Sequence, residues 1–130
     1  MGPQSVNGFK NYGVTIEVPQ RISTGTYDDE NFEVGSTVYR SLVYLTGDDD
    51  GDHDSIDLQD GTIDGQQVTF LGVALIDSND NITIDVASDS TCTACSGSGT
   101  FTMSTPGERV SYVWDDTVGT WWESGSREVD

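Results

Sequence analysis

The densest group of chemically active side chains is an acidic run over Gly47–Asp54. Carboxylates at every second position are how loops surround Ca²⁺ with oxygen ligands. The run departs from the helix-loop-helix calcium motif, because His53 stands where that motif requires Gly and Gln59 where it requires Glu. We therefore expect a solvated turn between two strands rather than a specific cation site. No cofactor is expected beyond a cation at the metal-ligand candidates, which are Asp48, Asp50, Asp52 and Asp54.

The two cysteines form a C-x-x-C motif, Cys92 and Cys95. A four-ligand zinc site needs two further thiolates or imidazoles, and the chain offers one histidine, His53. A thioredoxin-like site needs a βαβ setting, which the flanking Ser, Thr and Gly residues do not provide. The remaining interpretations are a disulfide that stiffens a loop, two small buried side chains, or a zinc site shared across a symmetric trimer.

Catalytic chemistry finds little support in this sequence. A Ser-His-Asp arrangement would have to use His53, which lies inside the acidic run. The carboxylates are spread over turns, so their mere number does not identify an acid–base pair. We expect no enzymatic activity and assign no catalytic residue.

The hydrophobic pattern is that of an all-β protein. Apolar residues alternate with polar ones in segments that are rich in β-branched and aromatic residues, which predicts about seven strands. Clusters of Gly, Asp and Asn separate these segments, as expected for turns. The predicted strands are 14–18, 37–45, 67–76, 82–86, 100–103, 109–114 and 120–123.

These elements predict a single domain with a small antiparallel sandwich, barrel or prism. The more polar residues 1–35 are expected to form an extended N-terminal arm with a first strand, and residues 36–130 the β domain. An ordinary first strand and loop is the alternative for the N-terminal segment.

Aromatic residues near the C-terminus give the strongest packing signal. Adjacent residues of a strand point to opposite faces, so Trp121 and Trp122 cannot both enter the same core. Tryptophan is a frequent anchor at subunit contacts. The predicted interface residues are Tyr112, Trp114, Trp121 and Trp122.

The net charge of this chain indicates the environment in which it folds and excludes some classes of partner. The 130 residues carry 23 Asp plus Glu against 5 Lys plus Arg, a net charge of -18. Such self-repulsion is tolerable where concentrated salt screens it, which indicates a halophile protein. A mesophilic acidic surface protein is the alternative. Nucleic acid and anionic membranes are not expected partners. No apolar stretch reaches the roughly 18–20 residues that span a bilayer.

Two stretches resemble the β proteins found on the heads and fibres of tailed viruses. Asp60–Phe70 is similar to their turn-and-strand pattern G-x-x-D-G-Q-x-V-x-L. Gly99–Met103, Gly107–Asp115 and Gly119–Trp122 are similar to their closing pattern T-F-T-L, G-D-S-V-x-L-V-W-D and G-x-W. The resemblance covers residues 60–124 and departs from the pattern at Arg109, Tyr112 and the double Trp.

The resemblance implies a compact, usually trimeric β domain on the outside of a virus particle. With the halophilic composition, the expectation is a capsid-surface decoration or turret protein of a tailed virus of a halophilic archaeon. Its partners would be two further copies of itself and the major capsid protein. The alternatives are a tail-fibre or receptor-binding tip protein and a secreted or cell-surface binding module of a halophile.

Overall fold

The computed structural model describes residues 15–16, 20–23, 29–48, 51, 53–87, 94–97 and 99–129, with backbone alone for 15–16, 22–23 and 29–30. Among these residues, no helix has the length and hydropathy needed to cross a membrane. The described part of the chain contains ten strands: β1 (Thr15–Ile16), β2 (Gln20–Ser23), β3 (Asp29–Phe32), β4 (Val38–Thr46), β5 (Asp54–Leu58), β6 (Gln67–Ala74), β7 (Ile82–Asp85), β8 (Thr100–Met103), β9 (Arg109–Asp115) and β10 (Thr120–Arg127).

The strands form two mixed sheets. The six-stranded sheet has the order β1-β4-β6-β9-β10, and β2 also pairs with β4. The four-stranded sheet has the order β3-β5-β7-β8.

From β2 to β7 the chain passes back and forth between these sheets. Each strand from β4 to β7 lies parallel to the strand two places before it. Parallel neighbours need a long crossover connection, commonly a helix. Here the crossover is a strand of the opposite sheet, so the chain winds as a flattened coil with two strands in each turn.

The last three strands reverse direction and extend both sheets. β8 pairs antiparallel with β7, β9 with β6, and β10 with β9. Along its length β10 pairs with β9 on one side, and on the other side Trp121 bridges Gly97. β10 is therefore the last strand of the six-stranded sheet.

The core lies between the two sheets. Alternate residues of each strand point inward, which is why the sequence shows a period of two. Phe32 of the four-stranded sheet meets Phe70 of the six-stranded sheet edge to face, with ring centroids 5.5 Å apart. The fully buried apolar residues from both sheets include Val43, Leu45, Ile56, Leu58, Val68, Phe70, Ile82, Ile84, Met103 and Val110.

The all-β prediction is confirmed, and the prediction of antiparallel pairing is wrong for the coil formed by β2 to β7. A half-buried strand has the same alternation in parallel and antiparallel sheets, so the pattern did not distinguish them. The sequence also missed β2, β3 and β5, whose short segments are rich in polar residues. Without them the coil could not be recognised, and a barrel of about seven strands is not confirmed.

An extended N-terminal arm is not confirmed either. The described parts of residues 1–35 include β1 and β2 in one sheet and β3 in the other. Residues 1–14, 17–19 and 24–28 lie outside the described residues.

One buried amide fixes the turn that leads into β6. Gln66 accepts hydrogen bonds from the backbone N–H groups of Thr62 and Ile63 through Oε1, at 2.7 and 3.1 Å. Its Nε2 donates to the carbonyl oxygens of Gly35 and Val38, at 3.0 and 2.9 Å. Gln66 is fully buried. It therefore joins the turn before β6 to the start of β4.

Replacement of Gln66 by Ala should lower the free energy of unfolding by about 3 kcal/mol, because two N–H groups and two carbonyl groups each lose the hydrogen bond that this buried amide supplies. Gln67→Ala is the matched control, because Gln67 is half-buried and points away from the core; its effect should stay within about 0.5 kcal/mol. Urea unfolding at a fixed KCl concentration measures both. Equal effects of the two substitutions would contradict this role.

Candidate functional site

Among the described residues, the most exposed aromatic side chain lies on the outer face of the six-stranded sheet, the face turned away from the core. Trp121 points inward and is 2% exposed, whereas Trp122 points outward and is 54% exposed. Across the sheet, Trp122 of β10 pairs with Val113 of β9, and Val113 pairs with Gln67 of β6. This outer face is the candidate functional site.

Trp121 is held inside by two contacts. Its ring packs edge to face against Trp114, with centroids 5.3 Å apart. Its Nε1 donates a hydrogen bond of 2.9 Å to the carbonyl oxygen of Gln59. Both tryptophans therefore belong to the core, next to the turn that Gln66 organises.

The indole of Trp122 is held in place by a neighbouring carboxylate. Trp122 Nε1 donates to Asp115 Oδ2 at 3.2 Å, and the N–H groups of Thr117 and Val118 donate to Asp115 Oδ1 at 3.1 Å each. The hydrogen bond from Val118, followed by those from Trp122 and Thr117, lowers the pKa of Asp115. Trp122 is therefore both exposed and oriented, which suits an anchor residue.

The structure corrects the set of predicted interface residues. Tyr112, Trp114 and Trp121 are 2–4% exposed and belong to the core. They have no surface to offer a neighbouring subunit, so Trp122 is the member of the predicted set that can contact one. The sequence identified a pair of tryptophans with opposite faces, but the assignment of the other aromatic residues required the second sheet.

The fold brings two acidic residues of the predicted cation loop, Asp48 and Asp54, close to a third carboxylate from another loop. Asp54 is the first residue of β5 and is 3% exposed, and Asp48 follows β4. Both lie near Asp80, which is 2% exposed; carboxylate oxygens of the three lie within 4.8 Å of one another. Asp50 and Asp52 lie outside the described residues.

The parallel register explains why Asp80 joins this cluster. β5 pairs with β7, and the N–H of Asp54 donates to the carbonyl oxygen of Asn81 at 2.9 Å. The loop before β7 is thereby held beside the start of β5. Three carboxylates are ligands that suit a hard cation, but Ca²⁺ takes six to eight oxygens. The sequence could not find Asp80, because this proximity depends on a parallel pairing that the pattern did not reveal.

Cys95 is buried and disulfide-bonded. Its Sγ lies 3.7 Å from the carbonyl oxygen of Asp85 and 3.9 Å from Nε2 of Gln59. Cys92, the other cysteine of the sequence, lies outside the described residues. These contacts place the buried Cys95 against Asp85, the last residue of β7.

His53, the histidine of the acidic run, is exposed at the surface.

No protein-family model matches this chain, and no curated protein matches it. The site must therefore be interpreted from its own geometry.

Ionisation of the buried Tyr112 is expected to make the fold less stable at alkaline pH. Burial raises the pKa of its hydroxyl group well above the ordinary value, and the negative charges of Glu123 and Asp85 raise it further. A raised pKa in the folded state means that the unfolded chain loses this proton first as the pH rises. The resulting stability is complete below the unfolded pKa of about 10 and is lost above it.

We expect the free energy of unfolding to fall above pH 10 with a contribution from Tyr112 approaching about 1.4 kcal/mol per pH unit. Tyr112→Phe should remove this contribution, and Tyr39→Phe, at an exposed position, should retain it. Denaturant unfolding between pH 8 and about pH 12 gives the slopes. Parallel curves for the wild type and Tyr112→Phe would refute the assignment.

Proposed function

We propose that this chain is a non-enzymatic structural protein of a virion surface, in a tailed virus of a halophilic archaeon. It decorates the capsid as a homotrimer attached to the major capsid protein and stabilises the head by bridging neighbouring capsomers. The observation that carries this proposal is the outward-facing, oriented side chain of Trp122 on a sheet that has no covering layer among the described residues.

The distribution of charge supports an outward-facing role. The acidic residues of the turns, such as Asp64, Asp77 and Asp116, are exposed. A hydrated acidic surface keeps a protein soluble in concentrated salt. The apolar residues are concentrated between the sheets and, to a smaller extent, on the outer face around Trp122, which leaves that face for assembly.

The resemblance over residues 60–124 gives the proposal its particular form. In this part of the chain, the similar residues belong to turns and strands rather than to a set of reactive groups. Gln66 and Glu108 are buried in two of these turns, and Glu108 accepts hydrogen bonds from the N–H groups of Ser104, Thr105 and Val129. Such residues maintain a shape, which agrees with a structural role better than with catalysis.

Trimer formation through Trp122 is testable with the purified protein. In molar KCl, sedimentation equilibrium should give three times the protomer mass. Trp122→Ser should weaken association about thirtyfold, because a buried Trp anchor contributes about 2 kcal/mol or more. The control is Val118→Ser, at a position that is 65% exposed in the neighbouring turn, and it should associate like the wild type. A monomeric wild type would overturn the trimer.

The location in the particle is tested by the copy number in purified virions. Quantitative mass spectrometry should find this chain in a constant ratio to the major capsid protein and at comparable abundance. A few copies in each particle would favour the tail-fibre or receptor-binding tip alternative. Absence from particles, with the chain recovered from the cell surface or the medium, would favour the binding-module alternative.

A further inference from the structure

The arginines of this acidic protein are concentrated on one face. The chain has five cationic residues, and four of them are arginines; Lys10 lies outside the described residues. All four arginines belong to strands of the six-stranded sheet and are exposed. They are Arg21, Arg40, Arg109 and Arg127. Arg40 and Arg109 alternate with the buried residues of their strands, which places them on the outer face. Arg21 and Arg127 lie on the same face because they pair with outward-facing residues, Tyr44 and Arg109.

Three of these arginines fall on a single row across the sheet. The ladders place Arg21 opposite Tyr44, Tyr44 opposite Leu71, Leu71 opposite Arg109, and Arg109 opposite Arg127. Neighbouring strands are about 4.8 Å apart, so this arginine row extends over roughly 19 Å. The guanidinium of Arg21 lies over the ring of Tyr44, 4.5 Å from its centroid. Arg40 stands at the other end of β4, opposite Gln67.

The row is electrostatically unfavourable for the isolated protomer. Arg109 and Arg127 are like charges directly opposite each other, an arrangement that destabilises a strand pair. Neither forms a hydrogen bond or an ion pair within the part of the chain that the structure describes. Asp115, the carboxylate described on this face, already accepts hydrogen bonds from Trp122, Thr117 and Val118. Within the described residues, Arg109 and Arg127 are therefore available to an external anion.

We propose that the arginine row is a docking surface for a carboxylate-rich surface of a partner protein. The row is too long for one small anion. Tyr44 and Leu71 within it, and Trp122 beyond it, offer apolar contact, and Arg with aromatic residues is the composition of energetically dominant protein contacts. Guanidinium groups bind carboxylates with two parallel hydrogen bonds.

Two other occupants are less compatible with this charge distribution. A second copy that packs the same face against itself would bring two arginine rows together, at a cost in like-charge repulsion. Duplex nucleic acid carries one negative charge for about every 1.7 Å of its axis. Three guanidinium groups spread over roughly 19 Å match the separated carboxylates of a protein surface better than this dense line of phosphates. The inference goes beyond the virion assignment, because it specifies the chemistry of a partner whatever particle or surface the chain belongs to.

The test uses poly-L-glutamate as the probe and intrinsic fluorescence as the signal, because Trp122 is the exposed tryptophan on this face. Titrations are performed at the lowest KCl concentration at which circular dichroism shows the chain to be folded. The wild type should bind saturably, and affinity should decrease as KCl rises. Arg109→Gln with Arg127→Gln should weaken binding about tenfold. The control is Ser36→Glu with Thr100→Glu, which changes the net charge equally at exposed positions outside the row, and it should weaken binding much less.

Several results would overturn the proposal. They are the absence of saturable binding by the wild type, equal losses in the arginine and control variants, and binding of duplex DNA at least as tight as that of poly-L-glutamate. Self-association that the arginine substitutions abolish would identify a second copy as the occupant and would also overturn it. A trimer that persists in the arginine variants leaves the proposed function intact, so the two proposals can fail separately.

Discussion

The packing of two sheet faces against each other is the constraint on which the rest of this structure depends. Each strand has one apolar face, and a single layer of such strands cannot bury it. From β2 to β7 the chain satisfies this requirement by placing successive strands in opposite sheets. The inner faces meet in a core that includes Phe32 and Phe70. All that remains for interaction with other molecules is the outer faces, the edges and the loops.

Because of this constraint, the position of a residue in the two sheets determines its role, and residues of the same chemical type have different roles. Of two adjacent tryptophans, one completes the core and the other is exposed. The acidic residues are also divided, since Asp54 and Asp80 are buried at the connections between the sheets while others cover the exposed turns. The arginines occupy the outer face of one sheet. This face therefore carries positively charged side chains, although the chain as a whole has a net charge of -18.

The turn that leads into β6 has a physical explanation. In the stretch around Asp60–Phe70, Gly65 has a φ of 83° and Gln66 satisfies four backbone groups. A Cβ atom at Gly61 would collide with the ring of Trp114. These residues are required by the geometry of a turn that packs on the core. The same geometry can support different functions, so the proposed assembly role depends on the exposed residues around Trp122 and on the arginine row.

The sequence by itself determined the all-β class, most of the strongly apolar strands, the opposite faces of Trp121 and Trp122 and the acidic character of the turns. These follow from local periodicity and composition, which a chain carries without reference to distant residues. The tertiary structure alone decided the parallel coil, the strands β2, β3 and β5, the approach of Asp80 to Asp48 and Asp54, and the alignment of Arg21, Arg109 and Arg127. The physical reason is that register between strands far apart in sequence is set by the packing of the whole core, and no local pattern encodes it.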